Sequence, residues 1–364
     1  MTIERVQCMI ENILLNMFDE WFIPFSILLK MQSIVNIAEP KVRAWEVVYM
    51  ARYILKRLLL MIPVVLGISL LVFSMMELSP GDPAQIILGM RATPEALENL
   101  REEMGLNQPV WTRYFNYIVN ALQGDFGTSW RTNLPVINEI VARLLTTVRL
   151  ALGAMVLVVA IGIPVGILSA VKQYSLLDNI TLTGALILSS MPAFWLGTLL
   201  ILLFALQLSW LPAMGNNEIS GYILPWITLA ASYLATLVRM TRSSMLEVIR
   251  ADYIKMARAK GANERQVILR HALRNALLPI VTIVGMNFAA LLGGTVIIEQ
   301  VFTLNGLGSL AITSVRQLDV PMVMAEVLFI ALITSIINLI VDVLYVYIDP
   351  RLKSQYVMAR KARS

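Results

Sequence analysis

Six apolar runs of membrane-spanning length restrict this chain to one class of fold. They cover about Leu58 to Met76, then residues 150–171, 180–208, 222–241, 275–298 and 322–347. The hydrocarbon core of a bilayer takes roughly 20 apolar residues in helical form, and a helix satisfies all its backbone groups within the run itself. The 364 residues are 58% hydrophobic and 15% charged, against about 25% charged in ordinary soluble domains. The expected fold is an all-α integral membrane protein with six transmembrane helices.

Basic residues set the orientation. Arg52, Lys56 and Arg57 precede the first run, eight basic residues lie between Arg242 and Arg274, and the 347–364 tail is basic. Lys and Arg collect on the cytoplasmic side, which places 172–178, 243–274 and both ends of the six-span core there. Residues 77–143 then form an extracytoplasmic lobe between the first two spans. The net charge of +5 reflects this distribution and not the clustered footprint of a nucleic-acid binder.

Residues 1–49 mix apolar residues with Asp19, Glu20 and Lys30. They fit either an interfacial amphipathic helix or a dispensable extension, because MARYILKRLLLMIPVVLG from Met50 reads as a fresh membrane-protein start. The first span is assigned to 50–76. In the lobe, Thr93-Pro94-Glu95 has N-cap, first-turn proline and acidic first-turn character, and Gly105 suits the residue that ends the helix. A helix over 94–104 follows. The aromatic cluster Trp111, Tyr114, Phe115 and Tyr117 makes the lobe either a structural cap on the membrane surface or a contact for a soluble delivery protein.

Glycines and alanines within the later spans, such as Gly153, Gly162, Gly166 and Gly285, permit close helix approach. Pro192, Pro225 and Pro279 are kinks or hinges. Glu326 and Asp342 lie near the two ends of the last run, where an acid marks a substrate path, a buried partner or interfacial water.

Several chemistries have no residues to support them. One cysteine, Cys8, and one histidine, His271, leave no internal disulfide and no Cys/His zinc cluster. No P-loop, HExxH or GxSxG sequence occurs, so nucleotide hydrolysis and the commoner hydrolase mechanisms lack their groups. Uphill transport would draw on an ion gradient or on a partner.

The polar stretch RADYIKMARAKGANERQVILRHALRNALLP, from Arg250 to Pro279, is the strongest functional signal. Tyr253, Ile254, Ala257 and Gly261 recur at helical spacing, placed together on one side. Gly261 suits a left-handed helix terminator, and Asn263 with Gln266 three residues on has capping logic. Two short helices meeting at a bend form either a docking element for another protein or a solvated basic loop.

This stretch resembles the cytoplasmic coupling loop, the EAA loop, of permease subunits of ATP-binding-cassette importers, in particular the peptide and nickel branch. Ala257 and Gly261 fit that pattern, while Lys255 stands in place of its glutamate and Leu278-Pro279 comes later. RYILKRLLL, SPGDPA, GDFGTSW, ARLLTTVRLA, MPAFWLG, EQVFTLNGLG, LDVP and YIDPR are similar to segments of the dipeptide or oligopeptide B-type subunit. Asn305 occupies a position where proline is expected.

The resemblance implies a type I importer permease fold, with a transmembrane domain over 144–346 and a coupling loop at 243–274. It implies a bacterial or archaeal cytoplasmic membrane, a homologous second permease, two ATP-binding subunits and an extracytoplasmic peptide-binding protein. ATP would be used by the partners, with no cofactor held by this chain and no enzymatic activity of its own. Tyr253, Ala257, Arg258, Gly261, Asn263 and Arg265 would meet the ATPase, and Glu326, Asp342 and Pro192 are candidates for the translocation path. Alternatives are an ion-coupled secondary carrier built on Glu326 and Asp342, or a permease of the same branch for nickel chelates or glutathione.

Overall fold

The computed structural model describes residues 40–348 apart from 90, 216 and 217. Residues 1–39 of the extension and 349–364 of the basic tail lie outside the described part. The chain divides into two compact units, Met1–Leu60 and Met61–Ser364. In the first unit the described residues are helical. Helix α1, Pro40–Glu77, continues through Met50 without a break.

Among the described residues, the regular structure of the second unit is helical, apart from a single bridge between Thr128 and Pro135. The lobe carries three short helices: α2 (Pro83–Leu88), α3 (Pro94–Glu103) and α4 (Val110–Leu122). Asp82 and Thr93 cap α2 and α3 by accepting from the amides of Ala84 and Ala96, satisfying donors that a helix start leaves open. Gly105, at φ +68°, ends α3 as expected. Arg101 on α3 returns to Asp82 through two hydrogen bonds, of 3.0 and 2.6 Å, closing the SPGDPA turn.

Helix α5 (Val136–Val171) begins within the expected lobe and runs 36 residues into the second span. Next come α6 (Leu176–Ser190) and α7 (Ala193–Leu200), the latter continued by π-helical turns over Ile201–Gln207. The single span expected over 180–208 is broken there, with the two halves bent by 101°. Proline supplies the reason: Pro192 has no N–H and disfavours helical geometry in the residue before it. Met191 is extended accordingly, at ψ 126°.

Helix α8 (Ser220–Ile249) is central, with its apolar window 61% buried against 11% for that of α1. Helices α9 (Asp252–Ala259) and α10 (Glu264–Gln266) follow, then π-helical turns over Val267–Ala272 that feed directly into α11 (Leu273–Val301). Helices α12 (Leu307–Arg316) and α13 (Val320–Ile348) complete the described chain. Among the described residues, five helices are long and apolar enough to cross a membrane, or up to six spans if the bent pair counts as one.

The bundle core joins Leu150, Val158, Leu237, Met245, Ile280 and Ile298, all buried. Small residues let these helices close up as expected. A Cβ on Gly166 would lie 2.6 Å from Thr241, and one on Gly285 would lie 2.4 Å from Val341. Gly153 likewise makes room for the Trp226 indole, whose N–H donates to the Arg149 carbonyl at 3.1 Å.

Candidate functional site

The Arg250–Pro279 stretch forms an elbow between two spans. Helix α8 stops at Ile249, Ala251 is extended at ψ 148°, and α9 starts at Asp252. Gly261 ends the elbow's first arm at φ +85°, a left-handed conformation that costs other L-residues about 1–2 kcal/mol. The Asn263 side chain accepts from the Gln266 amide at 2.8 Å and starts the second arm. That arm is no separate short helix. It runs through the π-helical turns into α11, so any movement of the elbow is shared with a span.

The elbow is rooted by apolar side chains and by ion pairs. Ile254, Val267 and Ala272 are fully buried in the bundle core. Arg258 on α9 bridges to Glu264 on α10 at 2.7 and 3.2 Å, and this carboxylate raises the arginine above its ordinary value. Lys255 holds the exposed Asp252 carboxyl below the usual range, a surface pair of little energetic weight. Behind the elbow, Arg250 donates to Gln173 at 3.0 Å. Arg242 forms a bidentate pair with buried Asp178, which also accepts from Ser169 and from the Tyr174 amide. Helices α5, α6 and α8 are thereby tied at one end.

The expected single face containing Tyr253, Ile254, Ala257 and Gly261 is not what forms. Ile254 points into the core, whereas Tyr253 is 48% exposed, because adjacent helical residues diverge by about 100°. Ala257 is half-buried, and Gly261, Arg258, Asn263 and Arg265 are exposed. Met256, 59% exposed, joins this surface and was not singled out by the sequence pattern.

The path candidates lie apart. Glu326 on α13 is fully buried, and neither carboxylate oxygen has a hydrogen-bond partner among the described residues. Asp342 is sixteen residues further along the same helix, about 24 Å at the helical rise, so the two acids do not share one site. The Asp342 side chain lies outside the described residues. Pro192 lines an open apolar groove of about 640 Å³ with Leu186, Ile187, Met191, Phe194 and Trp195. Among the described residues, no group of three His, Cys, Asp or Glu is placed to hold a metal ion.

Two further polar centres carry no local mark in the sequence. Glu299 is buried, accepting from Thr147 Oγ1 at 2.8 Å and from the Ser309 amide at 2.8 Å. Thr147 in turn accepts from the Leu307 amide at 2.8 Å. This carboxylate caps the N-terminus of α12, which the Gly-Leu-Gly segment forms and where negative charge is favoured. Asp319 accepts from Ser129 and from the Trp130 amide, so the GDFGTSW and LDVP segments are physically joined. Their signal in the sequence was the resemblance of whole segments, with nothing local to mark the pairs.

Residues 162–354 match the family described as binding-protein-dependent transport system inner membrane component, and residues 50–151 match its N-terminal counterpart. The chain is a member of this family. The permease is 43% identical over 304 residues to the glutathione transport system permease protein GsiC of Escherichia coli strain K12, covering 84% of this chain and 99% of the relative. It is 42% identical to the dipeptide transport system permease protein DppB of Alkalihalophilus pseudofirmus, covering 84% and 100%. Its fold is that of a chain from the inward-facing methionine ABC transporter MetNI, with a TM-score of 0.51, 19% identity and coverage of 59% and 98%. The permease is thus a membrane-embedded subunit of an ATP-binding-cassette importer of the peptide and nickel branch, and not an enzyme. Membership brings ATPase and substrate-binding partners.

Proposed function

We propose that the permease builds, with a homologous second permease, the path by which peptides cross the cytoplasmic membrane. Two ATPase subunits consume ATP and drive it, and an extracytoplasmic binding protein delivers the peptide. The observation that carries this reading is the elbow. It exposes Tyr253, Met256, Arg258, Gly261, Asn263 and Arg265 while being anchored by Ile254 and Val267 in the span core. A partner that moves this element moves α8 and α11 with it. Nucleotide that favours one state of the ATPase pair then shifts the spans between two arrangements. The basic residues of 243–274 support a cytoplasmic side for the elbow, and their charge assists docking and register.

Peptides are the proposed cargo because the relatives named for glutathione and for dipeptides share that chemistry, a short amide backbone with free ammonium and carboxylate ends. Within the path, Glu326 is the leading candidate for contact, since its buried carboxylate has no hydrogen-bond partner among the described residues. Pro192 and Asp342 are the others. The deciding experiment is reconstitution with the ATPase subunits and the loaded binding protein, comparing wild type with Ala257→Asp. Loss of peptide-stimulated ATP hydrolysis with normal membrane insertion is expected; stimulation at the wild-type level would overturn the docking role. Uptake that collapses with the ion gradient while ATP is maintained would favour the ion-coupled carrier instead.

A further inference from the structure

The lobe helix α4 carries two apolar faces, of which the fold uses one. Tyr114 is buried, and Tyr117 and Ile118 are half-buried, against Leu70 and Phe73 of α1 and against Val320 and Met324 of α13. The Tyr114 ring lies 5.4 Å from that of Phe73, and its hydroxyl is 2.9 Å from that of Ser69. Beside this face runs a second stripe, Trp111, Phe115, Val119 and Leu122, which is 63%, 61%, 52% and 83% exposed. At the helical angle of about 100° per residue these four fall within roughly 80°. Thr112, Arg113, Asn116 and Asn120 occupy the remaining arc.

The two spans beneath fix the level of α4. The α1 span ends at Glu77, and Phe73 and Ser69 lie about 6 and 12 Å inside that end at the helical rise. Val320 and Met324 belong to the first and second turns of α13. Arg113 pairs with Glu77, so the polar arc meets the charged end of the span while the ring of Tyr114 reaches down among its apolar turns. The exposed stripe therefore lies beside the outer turns of the α1 span, whose Leu71 and Met75, on the side of that helix away from Phe73, are also exposed. Four large apolar side chains facing water would form an aggregation-prone patch. Tryptophan with aliphatic residues is the chemistry of a helix lying at a membrane surface.

We propose that α4 is an interfacial helix whose Trp111, Phe115, Val119 and Leu122 stripe is immersed in the lipid of the leaflet on the lobe side. The lipid, and neither the binding protein nor the second permease, covers it. A delivery protein then meets the lobe through other surfaces.

The test uses the assembled complex in lipid nanodiscs with Cys8→Ser and one added cysteine, Phe115→Cys, Leu122→Cys or Asn120→Cys, labelled with an environment-sensitive fluorophore. Phosphatidylcholine bearing a nitroxide near the headgroup is expected to quench the label at positions 115 and 122 several-fold more than at 120. Addition of loaded binding protein should leave this quenching unchanged. Equal, weak quenching at all three positions would overturn the proposal, as would loss of quenching on adding binding protein. Quenching at 115 and 122 that appears only when the second permease is omitted would assign the stripe to that subunit, and also overturn it. The two stripe positions are read separately, so failure of one variant to assemble leaves the other decisive.

Discussion

Arg242 grips the buried carboxylate of Asp178 from two directions, with Nε and Nη2 each 2.7 Å from a carboxylate oxygen. Asp178 is 1% exposed and Arg242 17%, so the two partners are not equivalent. Breaking a buried pair by removing one member costs about 3–5 kcal/mol. Arg242→Ala strands the carboxylate and should fall near the lower end, about 3 kcal/mol. Asp178→Asn should cost less, because an amide keeps part of the Ser169 and Tyr174 contacts and the arginine can extend to water. Thermal unfolding of the purified complex reads the order, and a reversed order would show that the arginine is the costlier partner to strand.

Gly261 separates backbone effects from contact effects in the elbow. A Cβ there would meet nothing within 4 Å, yet φ is +85°. Replacement by Asn, which tolerates left-handed geometry, should retain most peptide-stimulated ATP hydrolysis. Ala should reduce it and Val should reduce it further, with strain of about 1–2 kcal/mol. Insertion and unfolding of the spans should barely change. If Val matched Asn in stimulated ATPase activity, the turn conformation would have no role in coupling.

Gly306 presents the opposite case, since its φ of −105° suits any residue but a Cβ would sit 2.3 Å from Glu299 Cδ. Gly306→Ala should therefore expel the carboxylate from its cradle, while Glu299→Ala vacates the same space. A double-mutant cycle should show the alanine at 306 to be markedly less harmful when Glu299 is already absent. Coupling of about 1–3 kcal/mol is expected for residues in such contact. Strict additivity of the two unfolding shifts would refute the steric account.

Asp319 pins the loop after α4 to the start of α13. It accepts from Ser129 Oγ and from the Trp130 and Met322 amides. Asp319→Ala removes the shared acceptor, whereas Ser129→Ala removes the donor to Asp319 and the Oγ that accepts from the Arg131 and Thr132 amides, each hydrogen bond worth about 1 kcal/mol, so both should destabilise. Hydrogen exchange followed by mass spectrometry should report faster exchange in residues 127–134 for both. Unchanged protection in that loop would mean that other contacts hold it.

Glu326 is an expensive residue if it only fills space. A buried polar group without a hydrogen bond destabilises by roughly 1–3 kcal/mol in mutational data. Glu326→Leu should then unfold at the same or a higher temperature than wild type, and a loss of peptide uptake in that variant would report function and not folding. A lower unfolding temperature would show that the carboxylate stabilises the bundle.

Much of this was legible along the chain because it rests on local chemistry. The caps at Thr93 and Asn263 and the terminators at Gly105 and Gly261 involve residues two or three apart, and they formed as the spacing indicated. Pro192 was visible as a proline, but a 101° break and a kink look identical in sequence. Tyr253 and Ile254 were grouped by spacing, whereas only the position of the core decides which of two neighbours turns inward. Glu299, Asp178 and Asp319 each depend on residues far away in the chain, so their neighbours in sequence gave no sign of their partners.

The amino-acid sequence by itself determined the helical membrane fold and the polar elbow between two spans, because hydropathy, capping and turn preferences act over a few residues. Tertiary structure alone decided that Asp178 meets Arg242, that Glu299 caps the start of α12, that the second arm of the elbow is the start of a span, and that one stripe of α4 is left uncovered. Each of those outcomes depends on which helix faces come together, a property that emerges only when the spans close around a shared core.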